Sequence, residues 1–277
     1  MTENKIAEGT AKSSKVTVKT FGQMKQRGEK ISMLTAYDYT MAQILDAGGV
    51  DSILVGDSAS NVMAGWSTTL PITMEQMIYH GAAVVRAVKR ALVIVDMPFG
   101  TYQTGVRDGM TSAIRMMKET GADALKLEGG ARVAETIKGI VDAGIPVCGH
   151  LGLTPQSIHQ FGGYGLRAKE ETEAETLMED ARRLQAAGCF AIVLEKIPTA
   201  LAKRVTDELS IPVIGIGAGN VTDGQVLVGQ DALGMSTMFK PKFVRRYLNL
   251  FDTIREAVAQ YDADVKSGAF PCAEESY

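Results

Sequence analysis

Eight times along its 277 residues, this chain passes from a short apolar run into a longer stretch of mostly helical spacing. The runs lie at 31–35, 52–56, 91–95, 124–127, 145–149, 190–194, 211–216 and 231–235. They are often rich in Val and Ile and not strictly alternating, which is how strands covered on both faces read. Stretches between them, such as 74–89 and 170–187, read as helices. Several of these stop at glycine, in Ala47-Gly48, Thr120-Gly121, Ala143-Gly144 and Ala187-Gly188, and glycine just past a helix end is the expected stop. Pro146 and Pro212 open strands, where a missing ladder N–H is tolerated. Eight such units predict an α/β chain closed into a (β/α)8 TIM barrel, with an open doubly wound sheet as the alternative.

The length suits a single domain of that kind. Its expected organisation is a loose arm over 1–15, a barrel over 16–265 and a tail over 266–277, with extra helices at both ends; 242–265 reads as one or two of them. With 45% hydrophobic and 22% charged residues the chain reads as a soluble globular protein. A net charge of -3 and no long basic run argue against nucleic acid as a partner. No apolar stretch nears the roughly 20 residues that span a bilayer, and the polar N-terminus lacks the apolar centre of a secretory signal. Cys148, Cys189 and Cys272 are widely spaced and odd in number, so neither a disulfide framework nor a zinc site is indicated. The reading is a cytoplasmic protein without a membrane partner.

Function is argued from where the polar residues stand. Apolar runs end at Asp57-Ser58, Asp96, Glu128, His150 and Glu195. In a (β/α)8 barrel all these ends meet at one rim, where catalytic residues sit. Four carboxylates there repel one another unless protons or a cation intervene. Asp57, Asp96 and Glu128 offer oxygen ligands to a hard divalent ion; Mg2+ suits them better than zinc, because no His or Cys cluster accompanies them. The plain alternative for any one acid is a cap on the following helix or a pairing with Lys or Arg. Lys126 lies two residues before Glu128, hence on the same side of its strand. It is read as a substrate contact, a Schiff-base lysine or an ion-pair partner of Glu128 or Asp96. His150 either meets substrate or holds its loop. His80 reads as structural, and His159 has no assignment. The Gly215, Gly217 and Gly219 run permits close backbone approach of a ligand or a neighbouring segment, but it is not a dinucleotide fingerprint.

These segments resemble the ketopantoate hydroxymethyltransferase family. The matches are Thr-Ala-Tyr-Asp-Tyr at 35–39, Leu-Val-Gly-Asp-Ser at 54–58, Thr-Leu-Pro-Ile-Thr at 69–73 and Asp-Met-Pro-Phe at 96–99. They continue with Lys-Leu-Glu-Gly-Gly at 126–130, Val-Cys-Gly-His-Leu-Gly-Leu-Thr-Pro-Gln at 147–156 and Phe-Gly-Gly-Tyr at 161–164. Val-Leu-Glu at 193–195 and Ile-Pro-Val-Ile-Gly-Ile-Gly-Ala-Gly at 211–219 complete the set. The resemblance covers about 17–262 of the chain. It implies a (β/α)8 barrel that assembles into a homo-oligomer, a decamer of two pentameric rings. The implied activity moves a one-carbon unit from 5,10-methylenetetrahydrofolate to 3-methyl-2-oxobutanoate, giving 2-dehydropantoate. Carried over residue by residue, Asp57, Asp96 and Glu128 would hold Mg2+. Asp57, Ser58, Asp96 and Lys126 would contact the oxo acid, with His150 added from its position, and Glu195 would be the catalytic base. The chain departs from the family pattern after that glutamate, with Lys196-Ile197-Pro198 where Cys-Val-Pro is common.

The competing readings are a Mg2+-dependent carbon–carbon lyase on a 2-oxo acid, of the isocitrate lyase and phosphoenolpyruvate mutase type, a Schiff-base aldolase using Lys126, and a barrel that only binds a small acid.

Overall fold

The computed structural model describes residues 14–236 and 241–277, so all but Ser14 and Lys15 of the expected N-terminal arm lies outside the described residues. Eight strands run in chain order around a closed barrel. They are β1 (Ile31–Thr35), β2 (Ser52–Val55), β3 (Leu92–Asp96), β4 (Ala124–Glu128), β5 (Val147–Gly152), β6 (Ala191–Glu195), β7 (Val213–Ile216) and β8 (Gly224–Leu227). Consecutive strands pair in parallel from β1–β2 to β7–β8. Where the barrel closes, Ile31 N–H donates to the Asp223 carbonyl at 2.9 Å.

Helix α1 (Val18–Gln26) precedes the strands, and α2 (Tyr39–Ala47) follows β1. The short α3 (Ala59–Val62) and α4 (Met74–Ala87) follow β2, α5 (Val106–Thr120) follows β3, and α6 (Ala131–Asp142) follows β4. After β5 come a 3-10 turn over Pro155–Ser157, α7 (Ile158–Phe161) and α8 (Glu171–Ala186); α9 (Thr199–Glu208) follows β6. The helices form because their apolar residues fall on one face and their ends are capped. In α8, Ala174, Leu177, Ala181 and Leu184 are buried at spacings of three and four. Thr73 and Gln76 close a reciprocal capping box at the start of α4.

The strands divide their side chains between two cores by simple alternation. Ile53, Val55, Val93, Val95, Leu125 and Leu127 face the helices. Ile31, Met33, Leu54, Leu92, Ile94, Ala124, Cys148, Ala191 and Val193 fill the barrel interior. Helix α1 belongs to that interior core through Phe21 and Met24, with the Phe21 ring edge-on to Phe190 at 5.9 Å. It stops the N-terminal mouth, where Lys15 Nζ donates to the Ala91 carbonyl and Lys25 pairs with Asp223, both at 2.8 Å.

The last strand departs from expectation. Residues 231–235 are not β8: Gly229–Ala232 is a helical turn, α10, and Gly234 follows with φ +69°. The strand is Gly-Gln-Val-Leu at 224–227, reached from β7 by a turn without a helix. A Cβ on Gly224 would lie 2.5 Å from the Ile31 carbonyl oxygen, so glycine lets β8 approach β1. A residue that reads as a loop breaker is therefore what closes the barrel. Likewise, the expected helical reading over 242–265 becomes α11 (Leu250–Ser267), preceded by non-helical chain from 241.

The chain divides into two compact units, one running to Val226 and the other Leu227–Tyr277. Within the second, Tyr247 N–H donates to the Ala232 carbonyl at 2.8 Å and Leu250 N–H to Leu233 at 3.0 Å. Helix α11 buries none of its residues.

Candidate active site

The alternation that fills the interior with Leu92, Ile94, Ala124, Cys148, Ala191 and Val193 continues upward as Asp96, Lys126, Glu128, His150 and Glu195. Asp96, Glu128 and Glu195 are the last residues of their strands, one position further than the apolar runs alone mark. Asp57 joins them from the loop after β2, its backbone N–H donating to Asp96 Oδ2 at 2.9 Å. The expected convergence at the C-terminal rim is present in the structure.

Lys126 sits at the centre of the group. Its Nζ is 3.1 Å from Asp96 Oδ1, 3.7 Å from Glu128 Oε1 and 3.2 Å from His150 Nδ1. His150 Nδ1 is also 3.2 Å from Glu128 Oε1, and its Nε2 faces Glu195 Oε2 at 3.4 Å, longer than a good hydrogen bond. One ring nitrogen cannot accept from Lys126 and donate to Glu128 together. Burial and the Lys126 charge disfavour the imidazolium, but Glu128 and Glu195 outweigh them and push the His150 pKa up to about 9. The protonated ring then donates to Glu128 and presents its other N–H to Glu195. Glu195 is the most accessible of these carboxylates, its side chain 16% exposed against 3% for Asp96 and Glu128.

Charge balance bears on the expected cation. Burial holds Asp57 well above the usual carboxylate range, and the Glu128 and Asp96 charges add to that. Asp96 is raised as well, chiefly by burial, although Lys126 opposes it. Burial also works against Glu128, yet His150 and Lys126 hold it below its ordinary value. Three buried carboxylates thus share one ammonium and one imidazolium, and Asp57 has neither in contact. Asp96 Oδ1 is buried without a well-aligned hydrogen bond. Hard oxygen donors short of positive charge fit a divalent cation by chemistry. Their present placement is not a finished cage: among the described residues no three His, Cys, Asp or Glu side chains are grouped as one, and Lys126 stands between Asp96 and Glu128.

The remaining site residues are placed as follows. Ser58 Oγ shares a 2.8 Å hydrogen bond with the buried Tyr37 hydroxyl. Lys196, at φ +45°, turns its ammonium to the Tyr164 carbonyl. His80 binds the Tyr37 carbonyl at 2.7 Å, a structural role, and His159 is exposed on α7. The Gly215–Gly219 run serves chain packing, since a Cβ on Gly219 would lie 2.5 Å from Thr199 side-chain atoms. Sequence reading gave no role to Gln156 or Tyr102, which are buried beside the carboxylates and hydrogen-bonded to each other at 2.6 Å. Their one available signal is that Gln156 lies six residues after His150, in the rim segment that follows β5. A cavity of about 590 Å3, lined by Gly130, Arg132, Leu151, Arg167 and Asp180 among others, lies on the helix side of β4 and β5 rather than over the carboxylates.

Residues 15–273 match the family model described as ketopantoate hydroxymethyltransferase. A protein of Flavobacterium johnsoniae named 3-methyl-2-oxobutanoate hydroxymethyltransferase is 64% identical over 263 residues, covering 95% of this chain and 97% of the relative. One of that name from Bacteroides fragilis is 63% identical, covering 95% and 96%. Among solved structures, a 2,3-dimethylmalate lyase of the PEP mutase/isocitrate lyase superfamily aligns with a TM-score of 0.60 at 16% identity, covering 89% of this chain and 87% of that one. A phosphonopyruvate hydrolase complex with oxalate and Mg++ aligns at 0.61 and 11%, covering 93% and 92%. At such identities these two share the fold alone. The family match spans the barrel and every strand-end residue of the site, and on that ground the chain belongs to the ketopantoate hydroxymethyltransferase family.

Proposed function

We propose that this protein transfers a one-carbon unit from 5,10-methylenetetrahydrofolate to 3-methyl-2-oxobutanoate, giving 2-dehydropantoate. The observation that carries this reading is the buried Asp57, Asp96, Lys126 and Glu128 group, with Glu195 as its accessible neighbour. The reaction needs a proton taken from a weakly acidic carbon beside a keto group, and so a base next to stabilised positive charge.

In this reading Asp57, Asp96 and Glu128 hold Mg2+. When bound, the cation supplies Lewis-acid polarisation of the keto oxygen. The oxo acid lies against Asp57, Ser58, Asp96 and Lys126, and the ammonium of Lys126 faces the oxygen that gains charge. Glu195 takes the C3 proton. His150 stands between Glu195 and Glu128, its Nε2 facing one and its Nδ1 the other, so it aligns the base. Water adds to the folate-borne methylene as its two C–N bonds break, so that tetrahydrofolate leaves and the one-carbon unit stands at the formaldehyde level; the carbon nucleophile attacks that carbon, and its oxygen takes up a proton to become the hydroxyl. A homo-oligomer belongs to the same reading. Phe251, Ile254, Val258, Tyr261 and Val265 stand exposed along α11 at alternating spacings of three and four, the pattern of a helix face that packs on a partner.

The test is proton NMR of 3-methyl-2-oxobutanoate in deuterated water with enzyme and Mg2+, before and after the folate is added. The expected result is Mg2+-dependent loss of the C3 proton signal, then hydroxymethylated product. Folded protein that gives neither exchange nor product refutes the assignment.

A further inference from the structure

Gln156 ties together two carboxylates from different parts of the rim, Asp57 after β2 and Glu128 at the end of β4. It lies in the 3-10 turn over Pro155–Ser157, and its side chain is buried. Its Nε2 donates to Asp57 Oδ2 at 2.9 Å and to the Met97 carbonyl at 2.9 Å. Its Oε1 accepts from the Tyr102 hydroxyl at 2.6 Å and from Gln103 Nε2 at 3.1 Å. Its backbone N–H donates to Glu128 Oε2 at 2.9 Å. The amide therefore uses both donors and both lone pairs, the full capacity of a glutamine side chain.

Its orientation is over-determined. The Met97 carbonyl can only accept. The Tyr102 oxygen accepts the Glu128 backbone N–H at 3.0 Å, so its own proton is free for Gln156; the Glu128 carbonyl, at 3.3 Å, is the poorer acceptor. Gln103 is fixed in turn, because its Oε1 accepts the Gly100 N–H at 2.8 Å. Exchanging N and O on Gln156 would set oxygen against Asp57 and Met97, and N–H against N–H at Gln103. Three repulsions would replace three bonds, so a single rotamer and a single amide orientation are locked.

The bridge also has a suitable charge. Lys126 already gives Asp96 and Glu128 a full positive charge. A second cation between Asp57 and Glu128 would compete with a divalent ion for the same oxygens. A neutral amide orients Asp57 and leaves its charge uncompensated.

We propose that Gln156, oriented by Tyr102 and Gln103, is a positioning residue that sets Asp57 and Glu128 relative to each other as oxygen donors for the divalent cation. The inference rests on the metal role given to those carboxylates above. Outer-shell hydrogen bonds of this kind change metal affinity by about 10- to 100-fold when removed.

The test measures Mn2+ binding by electron paramagnetic resonance on intact protein, separately from turnover, for Gln156→Met, Tyr102→Phe, the double variant and Asp57→Asn. Methionine keeps the volume and the backbone N–H but removes the amide. Gln156→Met is expected to weaken Mn2+ by about 10- to 100-fold, with part of the lost turnover recovered at high metal. Tyr102→Phe should shift affinity in the same direction by less, and the double variant should lose less than the sum of the two, because Tyr102 acts partly through the Gln156 amide and partly through its own bond to the Glu128 backbone N–H. If Gln156→Met does not fold, Tyr102→Phe, which keeps its ring, carries the test alone. Folded Gln156→Met with parental Mn2+ affinity overturns the inference, provided Asp57→Asn has lost it. If Asp57→Asn also binds Mn2+ like the parent, the metal role of Asp57 fails first.

Discussion

Replacing Lys126 by Met removes the ammonium at the centre of the buried acids while keeping nearly the same volume. At an effective dielectric of about 20, contacts of 3.1 Å to Asp96 and 3.7 Å to Glu128 represent gross attractions of about 5 and about 4.5 kcal/mol. Much of that is offset, because the buried ammonium no longer has to be desolvated and His150 loses a like charge 3.2 Å away. Breaking a buried pair from one side still leaves uncompensated charge, and the net loss should be about 3–5 kcal/mol, or roughly 10 °C in Tm for a chain of this size. The pH dependence identifies the cause. Burial already raises Asp57 and Asp96 above their ordinary values in the folded state, and losing Lys126 raises them further. A folded state that holds protons the unfolded state has released gains stability as pH falls. The deficit of the variant should therefore be largest near pH ~8 and shrink toward pH ~5.5. Paired thermal melts at equal protein concentration, followed by circular dichroism without added metal, measure it. A Tm drop under about 2 °C near pH ~8, or the same drop at both pH values, would refute the account of Lys126 as the counter-charge of the cluster.

Glu195→Gln should lower kcat by about 10²–10⁴-fold and abolish C3 exchange while leaving Mn2+ affinity near parental; parental exchange removes Glu195 from the base role. Asp46→Ala removes the acceptor for the backbone N–H groups of Lys89, Arg90 and Ala91 and should cost about 1–2 kcal/mol, the carboxylate being partly exposed. Burial works against the Asp46 carboxylate, but those N–H groups and Arg90 hold it below its ordinary pKa. Its contribution is thus present above about pH 4 and lost as pH falls through the lower folded value; a Tm gap between parent and variant that widens in acid would contradict this. Gly224→Ala should destabilise by about 1–3 kcal/mol, because the new methyl meets the Ile31 carbonyl at 2.5 Å; an unchanged urea midpoint would mean that β1 and β8 yield freely.

What the sequence made visible follows from what a burial cost leaves behind. Charged residues at the ends of apolar runs stand out because burying charge is expensive without a reason, so Asp96, Lys126, Glu128, His150 and Glu195 could be brought to one rim from their spacing. Gln156 and Tyr102 left no such mark. A neutral amide and a phenol are ordinary anywhere, and their importance lies in contacts to Asp57 and Glu128 that exist only once the barrel is closed. The misplaced eighth strand has the opposite cause. Gly224 carries a loop signal locally, and its strand role comes from the approach to Ile31, a partner far away in the chain.

The plug formed by α1 gives the barrel a direction of traffic. Phe21 and Met24 pack into the N-terminal mouth beneath the interior layer of Ile94, Cys148 and Val193, so that end of the barrel is filled. On the function proposed above, ions, oxo acid and water would then come and go over the C-terminal rim, where the carboxylates stand. In a chamber with one doorway, the bulkiest visitor must come last and leave first, since anything beneath it is trapped. On the function proposed above, the folate, by size alone, would then close over an oxo acid already bound, so that the smaller substrate enters first.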